Sequence, residues 1–450
     1  MIDHMTLVAI RFGHGLPLPD GAPTSPQEML KALSKPDEAA RRFPAATLKE
    51  ALPQRVAVLQ GLKIRRKTGD KTPFMVAAQD ARDVADISVR SGFARALDAP
   101  DGFRERLVTF WSDHFTTRAR TTADVVLPGA MIEDAIRPNI AGRFGDLLVA
   151  ATLHPAMLIY LDQVASVGPL SPFGQRRGRG LNENLAREVM ELHSLGVGAG
   201  YAQDDVRQMA ELLTGLGVNA RKGLVFLPEQ AEPGTETVLG RSYQGKGVAP
   251  IRAALQDLAL RPETARHIAW KLAVHFISDT PDEALVAAMT RAYADSGGAL
   301  LAVYAAMLDH PTAWVPTLQK VRQPYDFMVA ALRSLGVNGA GIMRFDRRSF
   351  ARLILRDMAL MGQKWRQPSG PDGWAEAGDH WITPQGLASR IRWAMEVPGR
   401  LVTPLPDPAE MARRALGSAA EVSLIRAAER AESLREGVGF VLASPAFNRR

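Results

Sequence analysis

Hydrophobic positions recur three and four residues apart along most of the chain, which is the spacing of one face of an α-helix. The pattern is clear in segments 28–34, 47–62 and 76–97, and it returns between residues 248 and 308 and between 325 and 434. Prolines and glycines interrupt it at intervals, as expected where helices end. The pattern therefore predicts an all-α protein with a large multi-helix body.

Three stretches depart from this pattern. Residues 218–247 are the least helical, and 218–227 can form at most one small β-hairpin with Lys222-Gly223 near its turn. Residues 166–180 and 362–383 are rich in glycine and proline, and the second stretch also contains three tryptophans, so we predict two loops.

We predict two regions along the chain. The main helical region covers residues 1–315, and the C-terminal helical region, which carries the Trp/Gly/Pro-rich loop 362–383, covers residues 316–450. The boundary near Pro316 and Pro324 is soft, and a single domain is the alternative.

Composition narrows the classes of function. The 450 residues include no cysteine, which excludes disulfides, thiolate zinc sites, iron–sulfur ligation and a cysteine nucleophile. The net charge is +7, and segment 41–71 alone, with nine cations and two acids, accounts for all of it. A nucleic-acid footprint would spread basic residues and aromatics over more of the chain, so a nucleic-acid partner is not predicted. Segment 41–71 is either a solvated helix end or a surface for an anionic partner.

The N-terminal residues, the apolar runs and the absence of known motifs exclude further classes of protein. The first eleven residues lack the features of a signal peptide, so the default prediction is a cytoplasmic protein. No apolar run is long enough to span a membrane. The glycine-rich nucleotide-binding motifs, HExxH and GxSxG are all absent.

Residues 182–196, here called the signature helix, carry the most chemistry. Asn182 is suited to cap the helix start, and Gly196 is suited to end it. At about 100° per residue, polar side chains share one arc and apolar side chains fill the other. The polar arc consists of Glu183, Asn184, Arg187, Glu188 and Glu191, and His193 lies in the middle of the apolar arc.

The polar arc has two interpretations. It is either a solvent-facing, salt-bridged surface, with Arg187 pairing with Glu183 or Glu191, or the lining of a cleft. In a cleft, Glu188 and Glu191 could hold a divalent cation, or one acid could raise the pKa of the other and act in acid–base catalysis. Because His193 points away from the acids, a Glu/His metal pair within this helix is disfavoured.

Two further clusters are candidates. Residues 110–115 contain Trp111, Asp113 and His114, which form either an aromatic core layer or a His/Asp pair that enters a site from a second helix. In loop 362–383, Trp374 and Trp381 either pin the loop to the body or form the wall of a pocket.

These residues closely resemble the signature of a bacterial family of unknown function, DUF1800. The likeness covers nearly the whole chain. It is carried by the signature helix with Gly200-Tyr201-Ala202-Gln203 and Leu213-Thr214-Gly215, by Arg11-Phe12-Gly13, by Trp111 with His114-Phe115, by His154-Pro155, by Lys271-Leu272 with His275-Phe276, and by Gln363, Pro368, Trp374 and Trp381. This chain departs from the family at Ala202, where a threonine is usual, at Leu216, where a tryptophan is usual, and at Glu232–Glu236, where a histidine-bearing stretch is usual.

The resemblance implies a predominantly helical fold and no established activity. It also implies that members are often exported, and that they are often encoded beside a second family of unknown function with a sulfatase-like appearance.

Two hypotheses about function follow. In the first, the protein is an enzyme with a carboxylate-lined, hydrolase-like or metal-dependent site, in which Glu188, Glu191, Arg187 and His114 act in catalysis. Asn182, Glu183, Asn184, His193, Trp111, Asp113, Trp374 and Trp381 would then contribute to binding. In the second, it is a non-catalytic helical partner or scaffold for a sulfatase-like protein or an envelope component.

Overall fold

The computed structural model describes residues 2–450 and confirms the all-α class. The α-helices are His4–Leu7, Pro26–Leu33, Glu38–Arg42, Leu48–Thr68, Thr72–Asp98, Gly102–His114, Leu127–Met131, Phe144–Thr152, Pro155–Tyr160, Pro172–Arg177, Asn184–Glu188, Gln203–Leu212, Ala249–Ala259, Pro262–Phe276, Glu283–Ser296, Leu300–Asp309, Pro324–Ser334, Gly339–Arg344, Arg347–Phe350, Arg356–Leu360, Pro384–Glu396, Pro398–Leu401, Pro408–Leu416, Val422–Glu429 and Leu434–Ala443. Four π-helical segments continue or join them: Val8–Phe12, Ile132–Ile136, Val189–Ser194 and Ala351–Leu355. Short 3₁₀ turns lie at Thr122–Asp124, Arg137–Asn139, Gln163–Ala165, Pro228–Gln230, Pro311–Trp314, Gly378–His380 and Gly417–Ala419.

The two helices that position the candidate site begin at recognisable sequence signals. Helix Gly102–His114 starts where the Asp101 carboxylate accepts the backbone N–H of Arg104 at 3.0 Å. Helix Pro262–Phe276 starts with a proline, whose missing N–H costs nothing at the first helical position. A side-chain cap therefore marks the start of the first helix, and an N-terminal proline marks the start of the second.

Two small antiparallel hairpins interrupt the helices. Strands β1 (Leu216–Asn219) and β2 (Gly223–Phe226) form the hairpin expected from the sequence. A second hairpin, β3 (Glu236–Val238) with β4 (Arg241–Tyr243), was not predicted. Its strands have three residues each, too few to show alternation. Its turn residues Leu239 and Gly240 both have positive φ, of 51° and 78°, in place of the usual Asn-Gly or Asp-Gly signal.

Hydrophobic side chains form two cores. The larger core extends from Val8 to Ala313, and the second surrounds helix Pro324–Ser334, in which every residue is buried. Helix Thr72–Asp98 contributes to both, with Ala77 and Ala81 in the first core and Phe93, Ala96 and Leu97 in the second. The division of the chain at residue 316 stays a prediction about folding units.

The two predicted loops differ in structure. Residues 166–180 were expected to lack regular structure, but they contain the helix Pro172–Arg177, which begins where the Ser171 hydroxyl accepts the N–H of Gly174. Loop 362–383 is irregular except for one 3₁₀ turn, and it is fastened to the body. The Gln363 side chain accepts the backbone N–H of Tyr325 at 2.7 Å, and the Trp381 indole N–H donates to the carbonyl of Ala375 at 2.9 Å.

The basic segment lies at the surface. Its densest part, residues 63–67, forms the exposed end of helix Leu48–Thr68, which Gly69 ends in the left-handed conformation. Across residues 2–450, no helix combines the length and the apolar character that a membrane span requires.

Candidate functional site

The signature helix changes its hydrogen bonding half-way along. The Asn182 side chain accepts the backbone N–H of Asn184 at 2.9 Å, and an α-helical turn follows over Asn184–Glu188. From Val189 to Ser194 the backbone is π-helical, whereas the sequence predicted one continuous α-helix. The Ser194 hydroxyl donates to the carbonyl of Val189 at 2.6 Å within this wider turn. π-Helical turns are frequent at functional sites.

Ion pairs cover part of the polar arc. Arg187 lies 3.1 Å from Glu183 and 3.6 Å from Glu191, so both pairs expected at a spacing of four residues are formed. Gln203 joins them, donating to Glu183 at 2.8 Å and accepting from Arg187 at 3.1 Å. Since these side chains are about one-third exposed, the pairs add little to stability.

Glu188 is the exception in the arc. Its half-buried carboxylate forms no ion pair or hydrogen bond with any residue in 2–450. Burial, followed by the charges of Glu191 and Asp372, raises its pKa. Asn184 at the start of the helix is exposed. In the part of the chain that the structure describes, no group of three or more His, Asp or Glu side chains is arranged to hold a metal ion. Within residues 2–450, the Glu188/Glu191 pair therefore has no third His, Asp or Glu side chain beside it that would complete a metal site.

Three histidines cluster on the opposite side of the signature helix. The His114 ring lies 6.0 Å from that of His193 and 6.4 Å from that of His267, centroid to centroid. His193 is completely buried, as its place in the apolar arc implies, and neither of its ring nitrogens has a hydrogen-bond partner among the described residues. Burial lowers the pKa of His193 to about 3 and that of His267 to about 4, so both are neutral at pH 7.

A polar stripe on helix Pro262–Phe276 runs from this cluster towards loop 362–383. Its members His267, Lys271 and His275 are four residues apart and share one face. Burial lowers the pKa of Lys271, although the charges of Asp113 and Glu376 act in the opposite direction. The His275 ring lies 2.5 Å from the Glu376 carboxylate through Nδ1.

Asp113 faces the same region from helix Gly102–His114. Its carboxylate accepts the backbone N–H of Trp374 at 3.0 and 3.2 Å. Burial, and then the negative charge of Glu376, raises the pKa of Asp113 to about 7, despite this hydrogen bond. The loop can approach because Gly373 has φ of +82° and no side chain, since a Cβ there would lie 2.7 Å from the Asp113 carboxylate.

A cavity of about 120 Å³ lies beside Asp113, which is enough for several water molecules or a small ligand. Helix Gly102–His114, the π-helix Ile132–Ile136 and loop 362–383 contribute to its walls. Of the residues predicted from the sequence, Asp113 and Trp374 line it.

The other predicted residues lie outside the cavity wall. Trp111 is fully buried and donates from its indole N–H to the Tyr304 hydroxyl at 2.7 Å, as a core residue does. Trp381 pins loop 362–383 and contacts Trp374 at 5.9 Å between ring centroids. The loop tryptophans thus divide between the two interpretations, because Trp381 fastens the loop and Trp374 forms part of a wall. His114, Asn182, Glu183, Asn184, Arg187, Glu188, Glu191 and His193 do not line the cavity either.

Buried ion pairs surround the cavity. Arg95 forms a two-pronged pair with Glu133 at 2.7 and 3.0 Å, and Arg137 forms another with Glu105 at 2.6 and 3.0 Å. A separate network centres on Asp326, whose carboxylate lies 2.5 Å from Arg106, 3.4 Å from His14 and 3.4 Å from Arg450. Groups paired this closely hold helices in register.

The sequence reasoning missed several residues of this site, mainly Lys271, His275, Glu376 and Arg366. For two of them a signal existed, because the spacing of His267, Lys271 and His275 places three polar residues on one face of an apolar helix. No comparable signal marks Glu376 or Arg366, which lie in an irregular loop.

Comparison with known proteins gives the family of the chain and no activity. The model of the family described as "Protein of unknown function (DUF1800)" matches residues 19–449. No curated protein and no solved structure matches the chain.

Proposed function

Because the chain belongs to this family, whose description assigns no activity, we propose from the geometry that the cavity beside Asp113 is an enzyme site for acid–base, hydrolase-like chemistry on a small molecule. One observation carries the proposal, namely a carboxyl group with a pKa of about 7 in the wall of a cavity. Such a group exchanges protons at neutral pH, which general acid–base catalysis requires.

Each neighbour has a role in this proposal. Asp113 takes a proton from an attacking water molecule or gives one to a leaving group. Lys271 is not part of the cavity wall, but it supplies positive charge close to Asp113, which favours the ionised form of that carboxyl group. The His275–Glu376 pair holds the base of the loop in place, and Trp374 provides an apolar wall.

We propose that the signature helix forms an outer part of the same region. The charge of Asp372 contributes to the raised pKa of Glu188, and the same charge affects the pKa values of Asp113 and Lys271. Glu188 on the signature helix and Asp113 in the cavity wall therefore share an electrostatic neighbour. We propose that Glu188 and Glu191, the second of which is paired with Arg187, are the residues that would bind a divalent cation. His114 is next to Asp113 in the chain, and its Nε2 lies 3.2 Å from the carbonyl oxygen of His193. This contact positions helix Gly102–His114 against the signature helix.

The test compares Asp113→Asn with Asp379→Asn in a screen of ester, amide and phosphoester hydrolysis. Asp379 is an exposed aspartate that forms no hydrogen bond or ion pair with the described residues, so it serves as the matched control. We expect Asp113→Asn to lower the rate about 100-fold or more, and Asp379→Asn to leave it unchanged. Equal rates for Asp113→Asn and the wild type would contradict the proposal.

The metal part has its own test. Metal content is measured by mass spectrometry on protein purified without a histidine tag, beside the double variant Glu188→Gln/Glu191→Gln. A stoichiometric metal that disappears in the double variant supports a cation at these acids. The same metal content in both proteins would contradict it.

The second candidate is a non-catalytic scaffold for a sulfatase-like protein or an envelope component. It is favoured by the pairing around the cavity, since Glu105 and Glu133 are both neutralised by arginine. Buried paired charges serve packing as readily as chemistry. Capture of a sulfatase-like partner, abolished by substitutions on the signature helix and unaffected by Asp113→Asn, would favour this alternative.

A further inference from the structure

Arg366 is the arginine of the cavity wall that has no ion-pair partner among the described residues. Its side chain lines the cavity, yet it forms no hydrogen bond or ion pair with any residue in 2–450. Its guanidinium carbon lies 5.0 Å from the centroid of the Trp365 ring, and the charge of Glu133 acts on it from the same wall. The other arginines in the wall, Arg95 and Arg137, are each held by two bonds to a glutamate.

The backbone at Arg366 is strained. Its φ is +47°, in the left-handed region that residues other than glycine rarely adopt. Strained residues of this kind concentrate at ligand-binding positions, where the surrounding structure holds them. A surface arginine would gain nothing from this geometry.

A second unmatched donor lies in the same wall. The Trp365 indole N–H is buried and has no acceptor among the described residues. The Ser112 hydroxyl, also in the wall, is likewise buried and unpaired. Buried donors are normally satisfied, and two buried donors without acceptors, beside the partly exposed and unpaired Arg366, match a ligand that brings acceptor oxygens.

We propose that the cavity binds small organic acids, whose carboxylate is held by Arg366 and the Trp365 indole N–H. The planar guanidinium matches a carboxylate in two-pronged geometry. A singly charged carboxylate suits the cavity better than a doubly charged phosphate, because Glu105, Glu133 and Glu376 also lie in the wall. The inference rests on the proposed function, since it assigns the substrate class of that same site.

The experiment follows the Trp365 indole N–H by ¹⁵N–¹H NMR during titration with acetate, benzoate and inorganic phosphate. The resonance is assigned with Trp365→Phe. In the wild type we expect acetate or benzoate to shift it in a saturable way, with phosphate weaker. Arg366→Gln keeps the backbone strain and removes the charge, and it should weaken binding at least about tenfold. Arg352→Gln is the control, because Arg352 is exposed and unpaired among residues 2–450.

Three results would overturn the inference: carboxylate binding of equal strength in Arg366→Gln, no saturable shift in the wild type, or a response to phosphate alone. Arg366→Lys retains a charge without the planar fork. If Arg366→Gln fails to fold, weakened carboxylate binding by Arg366→Lys supports the inference, and unweakened binding refutes it.

Asp113→Asn separates the two proposals. Arg366-dependent binding with hydrolysis unaffected by Asp113→Asn refutes the proposed chemistry alone, whereas Asp113-dependent hydrolysis without carboxylate binding refutes this assignment alone.

Discussion

His193 provides a quantitative prediction about stability and pH. Its buried ring has no hydrogen-bond partner among the described residues, and burial lowers its pKa from 6.5 to about 3. In the unfolded chain the same imidazole titrates near the ordinary value. Below that value the unfolded state therefore binds a proton that the folded state does not, and folding stability falls as the pH falls.

The size of this loss of stability follows from the folded and unfolded pKa values of His193. At about pH 5 the solution lies about 1.5 pH units below the unfolded value, and at about 1.4 kcal/mol per pH unit this amounts to about 2 kcal/mol from His193 alone. The loss should begin near pH 6.5 and continue until the pH reaches the folded pKa of about 3. A loss of this size is a large fraction of the total stability of a typical domain.

The assay is urea unfolding of the wild type and His193→Leu at about pH 8 and about pH 5. Leucine has a similar size and cannot take a proton, and any packing difference cancels because each protein is compared with itself. We expect His193→Leu to lose about 2 kcal/mol less than the wild type between the two pH values. His380→Gln, at an exposed histidine, should behave like the wild type. If His193→Leu loses as much stability as the wild type, the reasoning about the buried neutral ring is refuted.

Three more predictions concern the cavity. Asp113 should change the folding stability with pH in the opposite direction to His193, and Asp113→Asn tests this. Between the ordinary value of 3.8 and the folded pKa of about 7, the folded state holds a proton on Asp113 that the unfolded state has lost, so the wild type loses stability as the pH rises through this range. The amide removes this loss in urea titrations at the two ends of the range, and an unchanged pH profile would argue against a raised pKa. Gly373→Ala should lower the melting temperature, equivalent to about 1–3 kcal/mol, because φ is +82° and its Cβ would meet the Asp113 carboxylate; equal melting temperatures would contradict this steric account. Glu105→Gln should cost about 3–5 kcal/mol in urea unfolding by leaving Arg137 without one of its buried partners, and a cost below about 1 kcal/mol would show that Asp37 alone suffices.

The fold class could be predicted because helical periodicity depends on neighbours along the chain. Helix Thr72–Asp98 repeats its pattern over many turns, whereas β3 and β4 have three residues each and leave no pattern. The orientation of His193 away from the acids followed from the angle per residue. The π-helical turn at Val189–Ser194 did not, since apolar spacing does not distinguish an α-turn from one widened by a residue.

The candidate site was only partly predictable, because the cavity is built by contacts between distant segments. Asp113 and Trp374 were recognised as chemically interesting, but their hydrogen bond joins positions 261 residues apart. The pKa of Asp113 depends on Glu376 and on burial, neither of which is visible from residue 113 itself. Arg366 was missed because an arginine in a loop is ordinary until its partners, or their absence, are known.

The helix Thr72–Asp98 has a consequence for how the protein would respond to a ligand. Besides the residues that it gives to the first core and those that it gives to the second, it also contributes Ser88, Gly92 and Arg95 to the wall of the cavity. A molecule held there touches the one helix that supplies residues to both cores. Its binding energy is thereby linked to the folding of both, so an occupied cavity resists unfolding of either half of the chain.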